Sequence, residues 1–246
     1  MSDAIIEFRR IHKTFNHSPV LTGMDLAIRP AETLTIIGGS GTGKSVTLKL
    51  IVGLLKPDAG QVLIEGEDVV PLTEDQLLRV RKKIGMVFQG SALFDSLSVA
   101  DNIAYPLREH TAMSEEEVRE RVRETLSLVG LQGVEDHDPA DLSGGMRKRV
   151  ALARAIALAP RIILYDEPTT GLDPTNTEKI NELIVDMEEK LGVTSVVVTH
   201  DMRSAFKVSD RIALLYQGKI AVAGTPREIE SSDLPLVRQF IAGSMT

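Results

Sequence analysis

No cysteine occurs among the 246 residues. Disulfides, thiolate metal sites and cysteine nucleophiles are thereby excluded. Long apolar runs are missing too, and no stretch approaches the roughly 18 residues that suggest a bilayer span. Basic residues are outnumbered: 28 Lys and Arg stand against 35 Asp and Glu, a formal net charge of −7. That balance argues against wrapping nucleic acid, whose binding surfaces are usually basic. The opening residues Met1-Ser2-Asp3-Ala4-Ile5-Ile6-Glu7 have neither the basic start nor the apolar run of a secretory signal. Internal repeats, low-complexity tracts and long linkers are also absent. The expectation is a cytoplasmic chain that meets a membrane only through another protein.

What is present begins with eight residues, Gly38-Gly39-Ser40-Gly41-Thr42-Gly43-Lys44-Ser45. They match the phosphate-loop pattern G-x-x-x-x-G-K-[ST]. Residues 34–37 before them read as a short buried strand, and Val46-Thr47-Leu48-Lys49-Leu50-Ile51 after them as the start of a helix. Glycines let successive backbone N–H groups converge on one concave point. The helix adds its unpaired N–H groups and the positive end of its dipole. Lys44 then reaches the terminal phosphates, and the Ser45 hydroxyl is placed for Mg²⁺. A nucleoside triphosphate is the expected ligand.

Short β-type runs alternate with helical patterns, which predicts a three-layer α/β core with a mostly parallel sheet. Buried strands are predicted at 34–37, 84–88, 162–166, 195–199 and 212–216, several of them continuously apolar. Stretches 5–9 and 21–28 read as an antiparallel β layer beside that core. Gln217-Gly218 reads as a tight hairpin leading to 219–223. From 175 to 191, Ile180, Leu183, Ile184, Met187 and Leu191 recur at helical spacing, with Gly192 as the stop. Ser114 before Glu115-Glu116-Glu117 reads as an N-cap with acids in the first turn. Between about 91 and 160 only helical patterns and loops occur. One domain spanning 1–246 is expected, with an ATPase core formed by 1–90 and 160–246 and a helical block, 91–159, inserted in it.

Three further groups carry chemistry. Ile162-Ile163-Leu164-Tyr165-Asp166-Glu167 is an apolar strand that delivers two acids to the edge where open α/β sheets bind ligands. One carboxylate there can hold Mg²⁺, and the next can take a proton from an attacking water. His200 ends strand 195–199 and Gln89 closes strand 84–88, where a histidine can face a γ-phosphate and an amide can sense the metal or the water. Leu142-Ser143-Gly144-Gly145-Met146 opens a second anion site: Ser143 is a good N-cap, and the glycines expose N–H groups at the head of a helix running to about Ala159.

Taken in order, the phosphate loop, Gln89, Leu142-Ser143-Gly144-Gly145-Met146, Asp166-Glu167, Gly171-Leu172-Asp173 and His200 resemble the ABC transporter ATPases over nearly the whole chain. The resemblance implies a RecA-like phosphate-loop core with an antiparallel β layer and an inserted α-helical subdomain. It implies a homodimer in the ATP-bound state, with two ATP and Mg²⁺ sandwiched head to tail. Residues 38–46 (Gly38, Gly39, Ser40, Gly41, Thr42, Gly43, Lys44, Ser45, Val46) would cradle the nucleotide. Ser45, Gln89 and Asp166 would hold the metal, Glu167 would act as general base, and His200 would contact the γ-phosphate. Ser143, Gly144 and Gly145 would complete the partner's site, with Asp173 at the seam. Phe15, in His12-Lys13-Thr14-Phe15, would stack on adenine; core packing is its competing role.

Gln89-Gly90-Ser91-Ala92-Leu93-Phe94-Asp95-Ser96-Leu97-Ser98-Val99, Ala104-Tyr105-Pro106-Leu107-Arg108-Glu109-His110-Thr111 and Gly144-Gly145-Met146-Arg147-Lys148-Arg149 look like the MlaF group of these ATPases. That group implies phospholipid transport between bacterial inner and outer membranes. It also implies an MlaE-like permease, an MCE-domain MlaD-like subunit, sometimes a STAS-domain MlaB-like protein, and a place at the cytoplasmic face of the inner membrane. Leu93, Phe94 and Leu97 either dock a permease helix or pack locally. Arg147, Lys148 and Arg149 either contact a partner subunit or lie solvated. An ATPase for a polar-solute importer, and a soluble ABC protein acting on nucleic acid or ribosomes, are the alternative readings.

Overall fold

Residues 4–242 are described by the structure, a computed structural model. Its strands are Ile6–Phe15 (β1), Ser18–Ile28 (β2), Thr33–Ile37 (β3), Ala59–Ile64 (β4), Glu67–Asp68 (β5), Ile84–Val87 (β6), Ile162–Asp166 (β7), Thr194–Thr199 (β8), Arg211–Tyr216 (β9) and Lys219–Gly224 (β10). The helices are Lys44–Ile51 (α1), Glu74–Arg81 (α2), Val99–His110 (α3), Glu115–Leu128 (α4), Gly144–Ile156 (α5), Pro174–Leu191 (α6), Met202–Val208 (α7), Pro226–Glu230 (α8) and Pro235–Ile241 (α9).

β3, β7 and β8 are buried at every position, so the sheet they share must be covered on both faces. Its order is β10-β9-β3-β8-β7-β6, parallel except for the β9–β10 hairpin. Alternate residues of β7 feed different cores. Ile162 and Leu164 join Leu34, Ile36, Val196 and Val198 on one face, while Ile163 and Tyr165 face the helices on the other. Burying each such aliphatic side chain contributes about 1.5–3 kcal/mol. The parallel register then aligns the strand ends: Ile37 lies beside Thr199, Asp166 beside Val198 and Val87 beside Tyr165. Residues that follow these strands converge along one edge.

A second, antiparallel sheet has the order β2-β1-β4-β5. The β9–β10 turn ties it to the main sheet, because Thr22 N–H donates to the Gly218 carbonyl (2.9 Å) and the Thr22 hydroxyl to that of Gln217 (2.8 Å). β1 runs beyond the predicted 5–9 because a register shift at Arg10, whose φ is 47°, hides its alternation. Residues 59–81 carried no predicted element. β4 begins with exposed Ala59, Gly60 and Gln61, and the polar α2 depends on a Thr73–Gln76 capping box.

No strand lies between 91 and 160 among the described residues. α3, α4 and α5 share one cluster in which Ile103, Val122 and Val150 meet Val87, Tyr165 and Ile184. α5 therefore packs on the helical block and on the sheet at once. The predicted caps form, since Ser114 accepts from Glu117 N–H and Gly192 closes α6 at φ 63°; the structure adds Asp173 as the N-cap of α6. α5 ends at Ile156, earlier than predicted, and Ala159 at φ 50° turns the chain toward Pro160.

Candidate active site

β3 hands the chain to the glycine loop at Gly38, and α1 begins at Lys44. Gly43 is the N-cap at φ 105°, a region side chains rarely enter, and a Cβ there would lie 2.9 Å from Val20 Cγ1. Lys44 Nζ donates to the carbonyls of Gly38 (2.8 Å) and Gly39 (3.0 Å). The Thr42 hydroxyl donates to Gly39 as well (2.9 Å). Burial pushes the Lys44 ammonium below the usual lysine range, opposed by the charges of Glu167 and Asp166. A buried cation satisfied only by carbonyls favours a multiply charged anion beside it.

Asp166, 9% exposed, accepts from the Ser45 hydroxyl at 2.8 Å. A hydroxyl paired with one carboxylate is an all-oxygen donor set that suits Mg²⁺, which takes its remaining ligands from water and phosphate. No cluster of three His, Cys, Asp or Glu that could hold a metal unaided occurs among the described residues. The donors present therefore fit a metal that arrives with a phosphate ligand.

Glu167 has φ 49°, unusual for a residue with a side chain, and its N–H donates to the Val198 carbonyl at 2.9 Å. Its Oε2 accepts from Thr170 Oγ1 (3.2 Å) and Thr199 Oγ1 (3.3 Å), and lies 2.9 Å from His200 Nδ1. The carboxylate is mostly buried and the imidazole largely exposed. Sequence reasoning missed both threonines. Their signal was their placement, Thr170 three residues after Glu167 and Thr199 at the end of β8.

These groups line one cleft of about 1000 Å³, formed by 38–41, 43–46, Gln89, Glu167 and His200. Asp166 meets it through Ser45. Val20, Met202, Arg203 and Phe240 also line it, and none of these was expected. Phe15 is absent from the lining; it sits at the β1–β2 hairpin, 38% exposed, with Lys13 Nζ 5.4 Å from its ring centroid. Core packing is thereby excluded for Phe15.

Ser143, Gly144, Gly145 and Asp173 are likewise outside the cleft, gathered into a second group. Ser143 Oγ caps α5 by accepting from Met146 N–H, and Asp173 caps α6 by accepting from Asn176 N–H (3.0 Å). That hydrogen bond holds the Asp173 carboxyl below the usual range. A Cβ on Gly145 would fall 2.5 Å from Asn176 Oδ1, so the two helix heads touch.

The basic run, read as either contacting a partner subunit or solvated, is not uniformly solvated. Lys148 is 6% exposed and donates to the Gln89 carbonyl, because α5 turns this position toward the sheet. Arg147 donates to the Leu142 carbonyl and Arg149 to that of Gly130. Of the expected docking residues, Leu93 and Leu97 are half-buried, with Leu93 packed on the helical core. Phe94 is exposed and pairs with Tyr105 at 5.1 Å between ring centroids. No described helix is long and apolar enough to cross a membrane.

Comparison with known proteins places this geometry. The family model described as "ABC transporter" matches residues 21–170. The chain is 43% identical, over 97% of its length, to the probable ribonucleotide transport ATP-binding protein mkl of Mycobacterium leprae, and covers 69% of that relative. It spans 66% of the Mycobacterium tuberculosis counterpart, so about two thirds of these mycobacterial proteins. It is 39% identical, over 99% of its length, to the intermembrane phospholipid transport system ATP-binding protein MlaF of Haemophilus influenzae, and covers 92% of it. Among solved structures, the dimeric ATP-binding cassette MJ0796 bound to ADP and phosphate superposes with a TM-score of 0.83 at 38% identity, over 90% of this chain and 99% of that one.

Proposed function

We propose a role from the premise that the chain belongs to the ABC transporter family: it binds and hydrolyses ATP to energise phospholipid movement between membranes through a permease. Supporting the phospholipid reading is one observation, the likeness to the MlaF relative along almost the whole of both chains. The mkl relatives carry a ribonucleotide name and are matched over a smaller share of their length, which makes a polar-solute transporter the second reading.

In this reading, the loop amides and the head of α1 hold the phosphates, and Lys44 exchanges its carbonyl partners for phosphate oxygens. Ser45, Asp166 and Gln89 hold Mg²⁺, which neutralises phosphate charge when bound. Glu167, oriented by Thr170, Thr199 and His200, takes the proton of the attacking water, and His200 turns toward the γ-phosphate. Phe15 stacks on adenine, an interaction worth roughly 1–3 kcal/mol in nucleic-acid systems. Ser143, Gly144 and Gly145 of a second copy complete the site, with Asp173 at the seam; their lying outside their own chain's cleft supports that division. Residues 1–90 and 160–246 form the ATPase core, and block 91–159 docks an MlaE-like permease through Phe94 and Tyr105. An MlaD-like MCE-domain subunit and an MlaB-like STAS-domain protein complete the assembly at the cytoplasmic face of the inner membrane.

The test is reconstitution in vesicles with an MlaE-like permease. Transfer of a fluorescent phospholipid that requires Mg²⁺ and ATP supports the reading. ATP-driven uptake of a ribonucleotide with no lipid transfer overturns it.

A further inference from the structure

α5 grips the segment after β6 at two points. Near its head, Lys148 Nζ donates to the Gln89 carbonyl and lies 3.5 Å from the Glu167 carbonyl. Two turns later, Arg154 donates to the carbonyls of Ala92 (2.8 Å) and Ser91 (3.0 Å). Ser91 and Ala92 both have positive φ, 65° and 49°. Consecutive non-glycine residues in that region persist only where their surroundings hold them.

Lys148 is an unusual device for that purpose. Its ammonium is buried, and it forms no ion pair among the described residues. Burying a cation without a carboxylate partner is costly, and a methionine would fill similar space without that cost. Burial pushes the ammonium below the usual lysine range, and the nearby charges of Asp166 and Glu167 oppose the shift. Both carbonyls it meets belong to residues lining the cleft. A cation here reaches the two loops that carry Gln89 and Glu167, from the helix that Ser143 caps.

We propose that Lys148 is a positioning residue for ATP hydrolysis: its ammonium holds the Gln89 backbone carbonyl, so that the glutamine amide stays aimed into the cleft and moves with the head of α5. This rests on reading Gln89 as part of the hydrolytic site. Lys148 touches no reacting atom; it acts through Gln89. Substrate binding by the glycine loop does not pass through it, so its loss should appear in turnover and not in affinity.

Steady-state hydrolysis of MgATP by the full chain tests this, with nucleotide affinity measured separately on the same samples. Lys148→Met should lower kcat roughly 10- to 100-fold, the scale of a misplaced catalytic group, with KM and ATP affinity held within about twofold. Lys148→Arg should recover most of the loss, since a guanidinium can meet the same carbonyls. In a Gln89→Ala background, Lys148→Met should add little further loss, because groups acting as one unit are not additive. Should Lys148→Met fail to fold, Lys148→Gln takes its place, with a shorter neutral donor and the same readouts. Unchanged kcat in the substituted protein, or a full multiplicative loss on top of Gln89→Ala, overturns the proposal. Normal turnover by Gln89→Ala alone overturns the site reading beneath it, and that result is separate from the other two.

Discussion

Glu167 shows how one residue is prepared by its neighbours. Two threonine hydroxyls and an imidazole meet a single carboxylate oxygen, and a left-handed backbone aims the group into the cleft. Glu167→Gln should keep nucleotide binding and cut hydrolysis roughly 10²- to 10⁴-fold, the range for loss of a general base; single-turnover hydrolysis beside equilibrium binding checks this. A second carboxylate, Glu188 near the end of α6, makes a stability prediction. Burial raises the Glu188 pKa above its usual 4.5, the Thr33 hydroxyl opposes the shift, and the charge of Asp210 adds to it. The folded state therefore holds this proton more tightly than the unfolded chain does. Stability from this group is present below about 4.5 and is lost as pH rises through the folded value. Glu188→Gln should flatten the decline, so that its unfolding temperature relative to the parent protein is higher at pH 7 than at pH 4.

Elements turn such residues into a mechanism because each carries several of them. α5 has Ser143 at its cap, Gly145 against Asn176, Lys148 on Gln89 and Arg154 on the turn after it. The segment leading into α3 is held by the fully buried Asn102. Its side chain accepts from Phe94 N–H and donates to the carbonyls of Phe94, Leu97 and Ser98. Asn102→Ala removes the side-chain partner of the Phe94 N–H and the Leu97 carbonyl, while the Phe94 and Ser98 carbonyls keep backbone donors, and should destabilise the protein by roughly 2–3 kcal/mol. Denaturant midpoints measure that loss, and co-purification with the permease should weaken in parallel as Phe94 loses its setting.

At the scale of the whole molecule, the glycine-loop cleft and the group around Ser143 lie apart within one chain. The cleft holds the glycine loop and Glu167, while Ser143, Gly145 and Asp173 cluster elsewhere. Ser143→Arg should therefore leave nucleotide binding by a single subunit intact and abolish hydrolysis by blocking closure of the pair. Mixing it with Lys44→Ala subunits should restore one composite site, visible as partial ATPase activity. Loss of binding by isolated Ser143→Arg subunits would contradict the head-to-tail arrangement.

The linear chain was enough to define the glycine loop, the acids closing β7, the capped helices and the mainly parallel sheet. Each of these rests on residues within a turn or a strand of one another, where spacing translates directly into geometry. Spacing could not reveal that Lys148 is buried on Gln89, 59 positions away, or that Thr199 steadies Glu167, 32 away. Nor could it separate exposed Phe94 from half-buried Leu93, or remove Phe15 from the core. Those outcomes depend on which helix face meets the sheet and which strand ends lie side by side. Packing of the folded chain decides both, since burial and long-range hydrogen bonds exist only once distant segments have been brought together.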